Sequence, residues 1–109
     1  MKTIPLLLTA LLSFNALGQE LANDVTASQV NGYQRAMEAG CKNQGRGKGD
    51  PPEKVAALCD CVLRILKEEM QFSDWQKAYF SSRARDDREE MRVLSPYMKR
   101  TQVCRTNAL

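Results

Sequence analysis

Residues 50–71, DPPEKVAALCDCVLRILKEEMQ, decide the fold. The run opens as helices do, with Asp50 at an N-cap position, Pro51 at the first helical position and Glu53 three residues on. From Val55 onward the apolar residues recur at intervals of three and four. Val55, Leu58, Cys59, Val62, Ile65 and Leu66 therefore share one helical arc, which Leu63 and Met70 extend. Asp60, Arg64 and Lys67 face the other way. This pattern predicts a helix over 51–71 at the centre of the core.

The same run holds Cys59-Asp60-Cys61. On a helix the two sulfurs point about 200° apart around the axis. A disulfide needs Cβ atoms about 3.5–4.5 Å apart, so the pair cannot bond to each other while the helix stands. Each must reach a different neighbour, and Cys41 and Cys104 are the cysteines left. Two connectivities remain open. Cys41–Cys61 with Cys59–Cys104 is preferred, and Cys41–Cys59 with Cys61–Cys104 is the alternative. Bridges closing loops of this length contribute about 3 kcal/mol or more each.

On the N-terminal side, Thr26 or Ser28 can cap a helix running to about Cys41, with Val30, Tyr33, Met37 and Cys41 on one stripe. Residues 42–50, KNQGRGKGD, carry three glycines and no apolar side chain, and are expected to form a flexible connector. The spacing of those glycines is not a phosphate loop, because no strand precedes it and no Gly-Lys-Ser/Thr ends it. On the C-terminal side, Ser73 with Gln76 starts a helix anchored by Trp75 and Tyr79. Residues 81–92, SSRARDDREEMR, read either as an exposed helix laced with i,i+4 pairs or as a partly disordered bridge. Ser95-Pro96 is expected to start a last helix to about Arg105, with Tyr97, Thr101 and Cys104 on one stripe. No segment alternates polar and apolar residues, so no sheet is expected. The predicted class is all-α, a small bundle of three to four short helices stapled by two disulfides.

The start of the chain reads as an address. Lys2 precedes the apolar run 4–17, IPLLLTALLSFNAL, and Ala16 and Gly18 are small residues suited to cleavage after Gly18. At 14 residues the run is shorter than the roughly 20 a spanning helix needs. Residues 1–18 are expected to be a signal peptide, and 19–109 a single helical disulfide domain, periplasmic or secreted. No second apolar run follows, so no membrane contact is expected after cleavage. An even number of cysteines, 4, suits an oxidising compartment.

Composition narrows the chemistry. The formal net charge is only +3 and aromatic residues are 6% of the 109, so a nucleic-acid partner is not expected. The chain has no His, which removes imidazole metal sites and Ser-His or Cys-His nucleophile pairs. The four cysteines, with Met37, Met70, Met91 and Met98, could in principle handle Zn²⁺ or Cu(I), and thiol-based metal handling is the alternative function. The Cys-x-Cys spacing and the oxidising compartment argue against it, and scattered methionines more often fill cores. Neither a metal ligand nor a cofactor is expected. Asp86, Asp87, Glu89 and Glu90 interleave with Arg83, Arg85, Arg88 and Arg92 as a charge-compensated face, so no catalytic residue is assigned and no enzymatic activity is expected.

Arg83, Arg85 and Arg88 are instead the candidate partner-binding residues, because a guanidinium fork matches a carboxylate and arginine is enriched in binding hot spots. The glycine stretch 43–49 is a second candidate contact segment. The layout Cys41…Cys59-Asp60-Cys61…Cys104, with its central LCDCVLRIL, resembles that of small exported bacterial helical proteins. It is also similar in size and architecture to the periplasmic immunity proteins that neutralise toxins injected by type VI secretion systems. That resemblance implies a rigid helical domain acting on a protein partner, of immunity, inhibitor or chaperone type, and assigns no functional residue.

Overall fold

The computed structural model describes residues 22–108, and the expected signal peptide lies outside them. The chain runs α1 (Ala27–Gly47), α2 (Pro52–Glu69), α3 (Phe72–Arg83), α4 (Asp87–Met98), a 3₁₀ turn (Lys99–Thr101) and α5 (Gln102–Ala108). No strand occurs among the described residues. The fold is all-α, with two disulfides.

Helix α1 starts on a capping box. The Gln29 N–H donates to Thr26 Oγ1 at 3.2 Å, and the Thr26 N–H donates back to Gln29 Oε1 at 2.9 Å. Val30 is buried, and Tyr33, Met37 and Cys41 are half-buried below it, on the expected stripe. The helix then continues six residues past Cys41. The expected flexible connector over 42–50 is thus mostly helix, and the glycine that matters there acts by packing. A Cβ on Gly45 would lie 2.6 Å from both Val55 γ carbons, so only glycine lets α1 approach α2 this closely. The turn itself is confined to residues 48–51, where Gly49 takes φ 78°.

Helix α2 begins one residue later than expected, at Pro52, and Asp50 does not cap it. The cause is the second proline. A residue before proline is pushed out of the α region, and Pro51 accordingly sits at φ −59°, ψ 139°. Pro52, whose missing N–H would go unused anyway, takes the first helical position. Helix α3 likewise starts from Gln71 rather than Ser73. The Asp74 carboxylate accepts the Gln71 N–H at 3.1 Å and places negative charge in the first turn.

The buried face of α2 is Val55, Cys59, Leu63, Leu66 and Met70, whereas Leu58, Val62 and Ile65 are only half-buried. Its centre therefore lies near Cys59, rotated from the expected arc towards Leu63. That rotation corrects the preferred cysteine pairing. Gly45 meets Val55, and one turn further along each antiparallel helix Cys41 meets Cys59. Cys61, on the flank, reaches Cys104 of α5. The disulfides are Cys41–Cys59 and Cys61–Cys104, with Cα–Cα distances of 5.9 and 5.8 Å. Cys59 and Cys104 are 0% and 1% exposed, so both bridges are rooted in the core.

Helices α3 and α4 form a hairpin against α1 and α2. Trp75, Ala78, Val93 and Leu94 join Val25, Val30, Leu66 and Met70 in one core cluster, with Tyr79 packed at its edge. Proline 96 does not start a helix but lies inside α4, whose backbone runs on to Met98 before tightening into the 3₁₀ turn. Near the C-terminal end of a helix it removes one N–H from the ladder without stopping the chain from coiling. Thr101 and Cys104 are buried and Tyr97 is half-buried, as their common stripe predicts.

Candidate protein-binding surface

Residues 81–92 are neither one exposed helix nor a disordered bridge. They contain the end of α3, a tight turn at 84–86 and the start of α4. Ser81 is buried, and the Asp86 N–H returns to its carbonyl at 2.9 Å. The Asp86 carboxylate caps α4 by accepting the Glu89 N–H at 3.1 Å. Arg85 holds φ 57°, a left-handed backbone that side chains other than glycine rarely adopt.

The acids that interleave with the arginines in sequence are mostly engaged inside the fold. Asp86 caps. Glu89 pairs with Arg92, a contact that holds the Glu89 carboxyl below its usual range and raises the Arg92 guanidinium. Glu90 accepts a hydrogen bond from the Tyr33 hydroxyl. The expected i,i+4 ladder is absent among the described residues of this stretch; its one ion pair, Glu89–Arg92, is i,i+3. Arg83, Arg85 and Arg88 are all exposed and form no ion pair with a described residue. Arg83 ends α3, Arg85 lies in the turn and Arg88 is in the first turn of α4, with Asp87 the acid next to Arg88 in sequence.

Tyr33, which its stripe on α1 marks only as a core residue, touches both helices that flank this turn. Its ring stands edge-on to Trp75 and Tyr79, each 6.1 Å away between centroids. Burial, and then the bond to Glu90, push its phenol well above the ordinary tyrosine range. Glu90 lies 57 residues away in sequence, so no local spacing signals the pair. At the other end of the hairpin, Tyr97 donates to Asp74 Oδ2 at 2.7 Å, and Arg100 pairs with Glu69 of α2. The Asp74 bond, followed by burial, raises the Tyr97 phenol.

All four cysteines are bonded in disulfides, so none offers a thiolate to a metal. Among the described residues no cluster of three or more Cys, Asp or Glu side chains has metal-binding geometry. The second candidate segment, 43–49, is not a loop presented to a partner but largely the last turns of α1. Within the described residues no helix is long and apolar enough to cross a membrane. The two disulfides suit an oxidising environment. No model of a known protein family matches the chain, and neither curated proteins nor solved structures give a significant match.

Proposed function

We propose that this chain is a non-enzymatic binding protein of the periplasm, exported by cleavage after Gly18, that acts on a protein partner as an immunity protein, inhibitor or chaperone. Its contact point is the α3–α4 turn, where Arg83, Arg85 and Arg88 offer guanidinium forks to carboxylates of the partner. The observation that carries this reading is Arg85. A left-handed backbone costs an ordinary side chain about 1 kcal/mol, and glycine would avoid the cost. Strain of this kind persists where the side chain itself is wanted. The acids nearby, drawn inward to Tyr33, to Arg92 and to the α4 cap, leave the three arginines free for a partner.

Replacing Arg83, Arg85 and Arg88 together with Ser should leave the melting temperature nearly unchanged. It should also abolish capture of the partner that wild-type protein retrieves from periplasm, with the wild-type contact itself weakening as salt is raised. Arg85→Gly alone should raise stability by about 1 kcal/mol while weakening capture. A triple variant that captures as wild type does would refute the proposal.

A further inference from the structure

Each disulfide joins a buried sulfur to one nearer the solvent. Cys59 and Cys104 are 0% and 1% exposed, whereas Cys41 and Cys61 are half-buried. Exchange with an external thiol begins on a sulfur that the attacking thiolate can reach, so access alone leaves Cys41 and Cys61 equal. Charge separates them. Arg64 Nη2 donates to Cys61 Sγ at 4.0 Å, and among the described residues no other side chain bonds a cysteine sulfur in this way. Asp60, Lys67 and Glu68 border the same groove as Arg64, but Arg64 makes no ion pair with a described residue. On α1 the charges nearest Cys41 in sequence, Glu38 and Lys42, are paired with each other at 3.0 Å.

The two bridges also differ in what they hold. Cys41–Cys59 joins helices of 21 and 18 residues that already approach closely at Gly45 and Val55. Cys61–Cys104 holds α5, which has seven residues, well short of the roughly 12–15 that a helix needs to stand alone. Over 102–106 the one buried side chain is Cys104. The core cluster and the half-buried side chains packed on it all come from residues 25–97, so α5 contributes to neither. On α2, Leu58 and Ile65 lie one turn to either side of Cys61, and both are half-buried.

We propose that Cys61–Cys104 is a redox-sensitive fastening for α5, opened at Cys61 by a dithiol reductant, while Cys41–Cys59 and helices α1–α4 stay in place. A thiolate of the reductant attacks Cys61 Sγ and forms a mixed disulfide. The Cys61–Cys104 bond breaks, and its electron pair leaves with Cys104, which takes up a proton. The reductant's second thiol gives up a proton to solvent and attacks the reductant's own sulfur in the mixed disulfide. Cys61 departs as a thiolate beside Arg64, and the reductant closes its disulfide. One proton thus passes from the reductant to Cys104, and two electrons pass to the protein. Arg64 acts twice, drawing in the attacking thiolate and stabilising Cys61 as the leaving one. Without its bridge α5 is too short to hold its fold, and the Leu58–Ile65 strip of α2 is uncovered.

The test treats the disulfide-bonded protein with dithiothreitol under native conditions, traps thiols by alkylation at intervals and maps the labelled peptides. Cys61 and Cys104 should be labelled about tenfold sooner than Cys41 and Cys59. At that stage amide NMR signals of residues 102–108 should move to unfolded positions while those of Tyr33, Trp75 and Leu94 keep theirs. Arg64→Gln should slow opening of Cys61–Cys104 about threefold, by less at raised salt, and leave Cys41–Cys59 unaffected. The Cys61→Ser, Cys104→Ser double variant should reproduce the opened spectrum without reductant. Should that variant fail to fold, the order of labelling in the wild-type protein still decides. Simultaneous loss of both bridges, earlier loss of Cys41–Cys59, a wild-type rate in Arg64→Gln, or an α5 that stays helical after its bridge is cut overturns the proposal.

Discussion

Tyr33 brings three neighbours to one point: Trp75 and Tyr79 of α3 against its ring, and Glu90 of α4 at its hydroxyl. Because the folded phenol ionises well above the unfolded value near 10, the two states hold the same proton below that pH. As pH rises past about 10 the unfolded chain loses it first, so stability present at lower pH is progressively lost. Urea midpoints measured from pH 8 to 11 should therefore fall more steeply for wild type than for Tyr33→Phe. Tyr97 and the other alkaline groups are common to both proteins and cancel in the difference. Equal slopes would mean that the Tyr33 phenol is not shielded. At neutral pH the same substitution should cost about 1 kcal/mol, the net worth of a hydrogen bond.

Between α1 and α2, glycine positions separate propensity from packing. A methyl on Gly40 meets nothing within 4 Å, so Gly40→Ala should stabilise by up to about 1 kcal/mol through helix propensity alone. Gly45→Ala makes the same gain in propensity but drives its Cβ into Val55, and should destabilise by about 1–3 kcal/mol. Adding Val55→Ala should recover part of that loss, so denaturation of both single variants and the double gives a non-additive cycle. This contact also marks how far the sequence could be read. The apolar stripe of α1 and the centrality of α2 are legible because periodicity alone reports them. Three glycines in nine residues looked like a flexible connector, because local spacing cannot show that one of them sits against another helix. Pro51 hid the true start of α2, although the proline after it already forbade a helical Pro51. For the α3–α4 turn, the arginines were visible, but the inward use of Glu90 depends on a residue 57 positions away.

For the molecule as a whole, the bridges span sequence separations of 18 and 43. In a chain-entropy account, removing Cys41–Cys59 by paired alanine substitution should cost about 3 kcal/mol and removing Cys61–Cys104 about 4. Urea denaturation of the two double variants would rank them, and a reversed order would show that native packing, not loop length, sets their value. Either loss is a large share of the 5–15 kcal/mol typical of a small domain. The preferred pairing was the wrong one of two because the wheel of α2 gives angles but not which side α1 covers, and Gly45 decides that.

Both bridges land on α2 two residues apart, and this has a mechanical consequence. A pull applied to the chain before Cys41 and after Cys104 travels through one disulfide, the backbone from Cys59 to Cys61, and the other disulfide. Some 200 Å of extended chain is thereby taken out of the line of force. The last turns of α1, most of α2 and the whole α3–α4 hairpin hang as two slack loops beside that path. A partner gripping the ends could unravel α1 as far as Cys41, drawing Tyr33 away from Glu90, without lengthening either loop.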